Sequence, residues 1–238
     1  MKYITFSKNK FSQNGEDGIL NKIFEELDHI CDKKKICVEF GSWDGIYLSN
    51  TFQFVEKGWD AIAIEGSKKR YKKLLNTSEK YKNIKPIMKF VDSTSSSANS
   101  LKKILEDEGI KDDYELLSID VDGLDLDIWD SYSGSPKVVV IEINSYIPPN
   151  CVQRHNGKNK IGSSFKATLM VAQKKGYTLI CHTGNMIFVR NDCLQYLNMD
   201  KEDIENPENL FNKKWLNIKE RKNLISIFYS YIKKILDM

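Results

Sequence analysis

The acids most able to do chemistry lie in two short segments. Asp120 and Asp122 stand in Ile-Asp-Val-Asp-Gly, directly after Leu-Leu-Ser-Ile, and Glu142 and Asn144 stand in Ile-Glu-Ile-Asn, directly after Val-Val-Val-Ile. Each segment places its polar groups where an apolar, strand-like run ends. Ligands of open α/β sheets bind at such ends. Asp120, Glu142 and Asn144 form an oxygen donor set of the kind a magnesium or similar divalent ion takes, which makes them candidate metal ligands. Without a metal, Asp120 or Glu142 is a candidate general base for a poorly acidic hydroxyl. Acids this close are costly unless a cation, a raised pKa or a metal offsets them. His155, in Gln-Arg-His-Asn-Gly, is the third candidate catalytic residue because a histidine titrates near neutral pH. The alternative is an exposed loop histidine. His29 and His182 read as structural.

A second group reads as a ligand cradle. Val-Glu-Phe-Gly-Ser-Trp-Asp-Gly spans 38–45, between an apolar run and a helical pattern. Gly41 permits a tight turn and close backbone approach, and Gly45 relieves packing near the next helix. Trp43 occupies a position that a pyrophosphate-binding G-x-G-x-x-G loop gives to glycine. The acid-x-Gly-x-x-x-Gly spacing suits S-adenosylmethionine, which has no phosphate. Glu65 and Gly66 end the second strand-like run, where a carboxylate can accept hydrogen bonds from both ribose hydroxyls. Asp92 ends the third run. The candidate cofactor-binding residues are thus Glu39, Gly41, Gly45, Glu65, Gly66, Asp92 and Asp120, with Gln13 added below.

Alternating elements must position these groups. A helical face is expected from Ile19 to Ile30, then strands at 36–40, 60–64, 84–91, 116–119 and 138–141. Helices are expected near 49–57, 68–81, 98–108, 123–132 and 163–175. The polar stretch 144–162 is too long for a simple connector. Its Arg154, His155, Asn156, Lys158, Asn159 and Lys160 suit a hydroxylated or anionic acceptor, so residues 145–162 are expected to select it. The runs 177–181 and 186–189 are separated by a turn at Gly184-Asn185, which makes a hairpin. The fold class is therefore α/β, a Rossmann-like three-layer sandwich with a seven-stranded, mostly parallel sheet and an antiparallel terminal hairpin. The hairpin argues against a nicotinamide-dependent oxidoreductase, the first rival. A non-catalytic Rossmann-like binding module is the second.

The sequence resembles the FkbM-like methyltransferases. The likeness rests on SQNGEDGILNKIF (12–24), VEFGSWDGIYLSNT (38–51), IEGS (64–67), LLSIDVDGLDLDIW (116–129), VVVIEINSYIPP (138–149), GSSF (162–165) and NMIFV (185–189). It covers about 12–190 and implies a class I methyltransferase domain over 1–190. It further implies methyl transfer from S-adenosylmethionine, usually to oxygen, on a small-molecule acceptor such as a sugar, a sugar nucleotide or a surface-glycan precursor. It suggests that Gln13 and Asn14 cover the cofactor's methionine end. The set Asp120, Glu142 and Asn144 resembles that of magnesium-dependent O-methyltransferases in part, since there the last two ligands are adjacent in sequence.

The whole chain has 238 residues, 41% of them hydrophobic, with 36 Lys and Arg against 33 Asp and Glu, a net charge of +3. That balance, read as evenly spread, gives no nucleic-acid signature. Five irregularly spaced cysteines suggest a reducing compartment, and neither a signal peptide nor a membrane span is expected, so the location is expected to be cytoplasmic. Residues 191–238 read as a C-terminal helical extension. Its last helix is basic and amphipathic, and it is expected to pack on its own sheet, on a second subunit of a homodimer or on an anionic membrane.

Overall fold

The computed structural model describes residues 2–158 and 161–216. The residues expected to form the basic final helix, and Asn159 and Lys160, lie outside them. Seven strands form one sheet: β1 (Ile36–Phe40), β2 (Asp60–Ile64), β3 (Ile84–Ile87), β4 (Leu116–Ile119), β5 (Val138–Glu142), β6 (Tyr177–His182) and β7 (Asn185–Arg190). Their order is β3-β2-β1-β4-β5-β7-β6. The strands run parallel from β3 to β5. β7 then enters antiparallel between β5 and β6, and the hairpin completes the sheet as expected. Strand order reverses between β1 and β4, which makes their carboxyl ends the topological switch point.

Helices cover both faces: α1 (Glu16–Leu27), α2 (Phe52–Val55), α3 (Lys68–Lys80), α4 (Leu101–Asp107), α5 (Asp125–Ser131), α6 (Phe165–Lys174) and α7 (Lys201–Glu205). Successive strand side chains point to opposite faces. Accordingly Val38 and Phe40 join one buried cluster, with Trp129 and Phe165, while Cys37 joins the other, with Ile19, Ile23 and Leu27 of α1. Serine hydroxyls cap three helices, Ser67 accepting from the Arg70 amide, Ser100 from Lys103 and Ser164 from Ala167, which satisfies donors the helix start leaves open.

Three boundaries differ from expectation. β3 stops at Ile87, four residues early, because its partner β2 ends at Ile64, the residue paired with Ile87. The helix expected at 49–57 is one turn, so a loop from Gly41 to Thr51 intervenes after β1. The described part of the C-terminal extension is mostly 3-10 turns plus the short α7. It caps the sheet: Phe211 is buried, stacks on His182 at 4.8 Å and meets Phe165 edge-on at 5.2 Å.

Candidate functional site

The junction of β1 and β4 is tighter than a ligand loop needs to be. Gly41 has φ 77°, and a Cβ there would lie 1.6 Å from the Asp120 carbonyl oxygen. Glycine is required by the approach of two backbones, whatever binds above them. Glu39 is buried and faces inward. Its Oε2 accepts from Ser49 Oγ at 2.6 Å and Thr51 Oγ1 at 2.9 Å, and its Oε1 from the Asn50 amide at 2.8 Å. Burial pushes its pKa up, and these donors pull it back. Glu39 therefore holds the loop after β1. The same network brings Asn50 Nδ2 to Ser118 Oγ on β4 at 3.1 Å, and it leaves the buried Asn50 Oδ1 with no hydrogen-bond partner among the described residues.

Glu65 is buried at the end of β2. Its Oε2 accepts from the Trp43 amide at 2.9 Å and its Oε1 from the Ser67 amide at 2.6 Å. Trp43 sits at φ 50°, with the Arg70 guanidinium 4.1 Å from its ring centroid. A Cβ on Gly66 would lie 2.3 Å from the ring of Phe90, whose side chain is 74% exposed. Gly45, at φ 80°, turns the loop against Leu74 of α3. Asp92 accepts from the Thr94 amide at 2.9 Å, and that bond, with help from Ser97, holds its carboxyl below the usual range.

Asp120 and Glu142 come together as expected, but the third oxygen differs. Ligand atoms of Asp120, Asp122 and Glu142 all lie within 4.8 Å of one another. The Asn144 side chain is spent on its own loop, donating to Ile161 O at 2.8 Å and accepting from the Tyr146 amide at 3.2 Å. Asp120 and Glu142 lie close enough that each bears on the other's titration. Desolvation, then Asp125, Asp122 and Glu39, push Asp120 up to about 7. Desolvation, then Asp120, Asp125 and Asp122, raise Glu142 well above the usual carboxylate range. Asp120 is crowded by protein, yet its tip is open to water. Asp125 lies beneath the cluster and accepts from the amides of Val121 at 2.7 Å and Gly123 at 2.8 Å. Those bonds shape the turn that gives Asp122 its φ of 59°.

The loop after β5 folds back on this turn. The His155 ring rests on Gly123, where an added Cβ would lie 2.6 Å away. Its Nδ1 accepts from the Gly162 amide at 3.1 Å, so the neutral ring carries its proton on Nε2. Arg154 turns away from the expected acceptor side and pairs with Asp127 at 3.2 Å and Asp130 at 2.8 Å, both on α5.

His182 is structural, as expected. Its Nδ1 accepts from the Asn212 amide at 3.0 Å, its Nε2 meets Ser145 Oγ at 2.8 Å, and Ser145 donates to Gly184 O at 2.7 Å. That leaves Ser145 no lone role as a nucleophile. Burial lowers His182 to about 3.

The segment before α1 is an anchor. Asp17 Oδ2 accepts from the amides of Lys10, Phe11 and Ser12. Glu16 Oε1 accepts from Thr183 Oγ1 at 2.6 Å and Asn185 Nδ2 at 3.1 Å. Gln13 is exposed there, its carbonyl held by Asn9 Nδ2 at 2.9 Å. Three residues that the motifs did not single out matter to this edge: Asn50, Ser118 and Trp215. Trp215 donates to Thr183 O at 3.1 Å and meets Tyr146 at 5.8 Å. Only a position within a quoted segment hinted at Asn50, and nothing in the sequence hinted at Trp215.

No family model matches the chain, and no curated protein matches it. Solved structures resemble it loosely. TrmK from M. capricolum in complex with S-adenosyl-homocysteine is 15% identical over 92% of this chain and 86% of that one, with a TM-score of 0.48. The N-terminal domain of EvdMO1, in the presence of S-adenosyl-homocysteine and D-fucose, is 7% identical over 77% and 84%, with a TM-score of 0.49. The CurJ carbon methyltransferase is 9% identical over 75% and 55%, with a TM-score of 0.47. Likenesses of this size carry no chemistry over to this chain.

Proposed function

We propose that the chain is an S-adenosylmethionine-dependent O-methyltransferase of FkbM-like type acting on a sugar, sugar nucleotide or surface-glycan precursor. The observation that carries the reading is one line of groups at adjacent carboxyl ends: Glu65 after β2, Gly41 after β1, Asp120 after β4 and Glu142 at the end of β5. That is the crevice where such sheets bind ligands. The residues fit this cofactor. A crevice lined by acids favours a sulfonium and an ammonium group. The buried, unpartnered Asn50 Oδ1 is an acceptor awaiting a donor. Each Glu65 oxygen retains a lone pair beyond the one given to Trp43 or Ser67. The Trp43 amide is directed at Glu65, so this loop does not offer it to a pyrophosphate, which disfavours the nicotinamide reading.

The cofactor, when bound, supplies a methyl group already activated for displacement. The chain's own task is to align an acceptor hydroxyl and take its proton. The Asp120–Glu142 pair suits the second task, because Asp120 is raised to about 7, near working pH. His155 is the poorer candidate for that task, because its Nδ1 already accepts from the Gly162 amide. In the second reading Asp120, Asp122 and Glu142 hold a divalent ion that acidifies the hydroxyl. Calorimetry with S-adenosylmethionine, followed by a screen of sugar nucleotides and glycan fragments for S-adenosylhomocysteine release, tests the function. Loss of turnover in EDTA, restored by magnesium, selects the metal reading, and full turnover in EDTA leaves the Asp120–Glu142 pair as the base.

A further inference from the structure

The chain's charge is not evenly spread, contrary to the reading from its net value. Nine of its 36 Lys and Arg, and only one of its 33 Asp and Glu, fall between Ser67 and Lys89. The remainder of the chain is acidic on balance, 27 against 32. The structure gathers this basic stretch on one end of the molecule, because α3 packs on β3, the edge strand of the sheet. Only Leu74 and Thr77 of α3 are buried. Lys68, Lys69, Lys72, Lys73, Lys80 and Lys82 are exposed, and none forms an ion pair with a described residue. Like charges held this close are unfavourable by themselves and are relieved by an anionic partner. Apolar side chains stand among them: Leu75 is 38% exposed, Met88 50% and Phe90 74%.

We propose that this α3–β3 end docks the protein on an anionic lipid bilayer. Lysine dominates here, with Arg70 engaged on Trp43. Lysine is a compact point charge that meets anionic headgroups without the planar fork that reads base edges bidentately. Clusters of basic residues on a helix bind acidic lipids, and neighbouring apolar groups enter the interface. The surface is a helix beside an edge strand, and none of its residues lines the clefts around Asp203 or around Phe24. A flat partner fits this better than a strand of nucleic acid threaded through a groove. The face begins at Ser67, two residues after Glu65, so docking sets the crevice mouth close to the membrane.

The test is co-sedimentation of the full chain with vesicles of phosphatidylcholine alone or with about a third phosphatidylglycerol. Binding is expected only to the anionic vesicles, and it should fall at high salt. Replacing Lys68, Lys69, Lys72 and Lys73 with Glu should cut partitioning at least about tenfold, while Arg at the same positions should preserve it. Leu75→Ser with Met88→Ser should weaken the part that survives high salt. Cofactor affinity, set by other residues, should not move. Equal binding to both vesicle types would overturn the proposal. So would undiminished binding of the Glu variant, which would point to residues outside this face. A preference for a single-stranded RNA homopolymer over vesicles, lost in the same variant, would replace the lipid with nucleic acid.

Discussion

Gly41, Glu65 and Asp120 each do something that motif spacing alone does not reveal. Gly41→Ala must place a methyl group on the Asp120 carbonyl at a left-handed φ, so a loss of about 2–5 kcal/mol is expected in denaturant unfolding. A stable Gly41→Ala protein would mean that β1 and β4 can part there. Glu65→Ala should weaken cofactor binding by about 1.5–3 kcal/mol in calorimetry. It should also lower stability, because two amides lose their acceptor. Measuring both separates ribose contact from loop support: weaker binding with unchanged stability would place Glu65 outside the loop's framework, and the reverse would remove it from the ribose. For Asp120 the sign follows from a carboxyl raised from 3.8 to about 7. Between those pH values the native state holds more protons than the unfolded chain, so stability falls as pH rises through the window. Asp120→Asn should flatten that fall and gain about 1–2 kcal/mol at pH 7, a value reduced for the solvent at its tip, while abolishing turnover. Urea unfolding of the variant from pH 4 to 8 checks it.

At the scale of elements, the acids and glycines were legible because strand ends follow from apolar runs, and the βα order fixes which ends are neighbours. The partners of those groups were not legible. Glu39 looked like a ligand residue, yet Ser49, Asn50 and Thr51 consume it. Asn144 looked like a metal ligand, yet its Oδ1 accepts from the Tyr146 amide and its Nδ2 donates to Ile161 O, which tie the side chain to its own loop. A local sequence shows that a carboxylate or amide is present but not which distant amide reaches it first. Arg154 is the sharpest case, since its pairing with α5 makes it an anchor of the loop after β5. These pairs are half-exposed, so Arg154→Ala should cost under about 1 kcal/mol of stability. It should nevertheless raise proteolytic nicking of the loop and lower acceptor kcat/KM, with cofactor affinity unchanged. Identical acceptor kinetics would show that the loop does not select the acceptor. His182 joins three elements, and its alanine variant should lose about 2–4 kcal/mol. Its pKa falls from 6.5 to about 3, so the native state refuses a proton the unfolded chain accepts. Its stability contribution is therefore lost as pH drops below 6.5, opposite in slope to Asp120.

For the molecule as a whole, the sequence made the order of elements and the closing hairpin readable, because apolar periodicity and turn residues are local. The charge asymmetry was present in the sequence too, but a net value hides it, and only the packing of α3 on the edge strand turns a basic stretch into a face. The insertion of β7 between β5 and β6 has a consequence for how the chain is made. A ribosome releases β5 some forty residues before β7 (roughly 2–8 seconds at ordinary synthesis rates). Throughout that interval the Val-Val-Val-Ile edge of β5 is bare on the side that β7 will later fill, and an uncovered apolar edge recruits other strands. Nascent chains stalled before Asn185 should therefore engage chaperones or aggregate, whereas those stalled well beyond Arg190 should not. The hydrogen bonds from Thr183 and Asn185 to Glu16 form only then, so the first helix of the chain is locked by nearly the last strand to emerge.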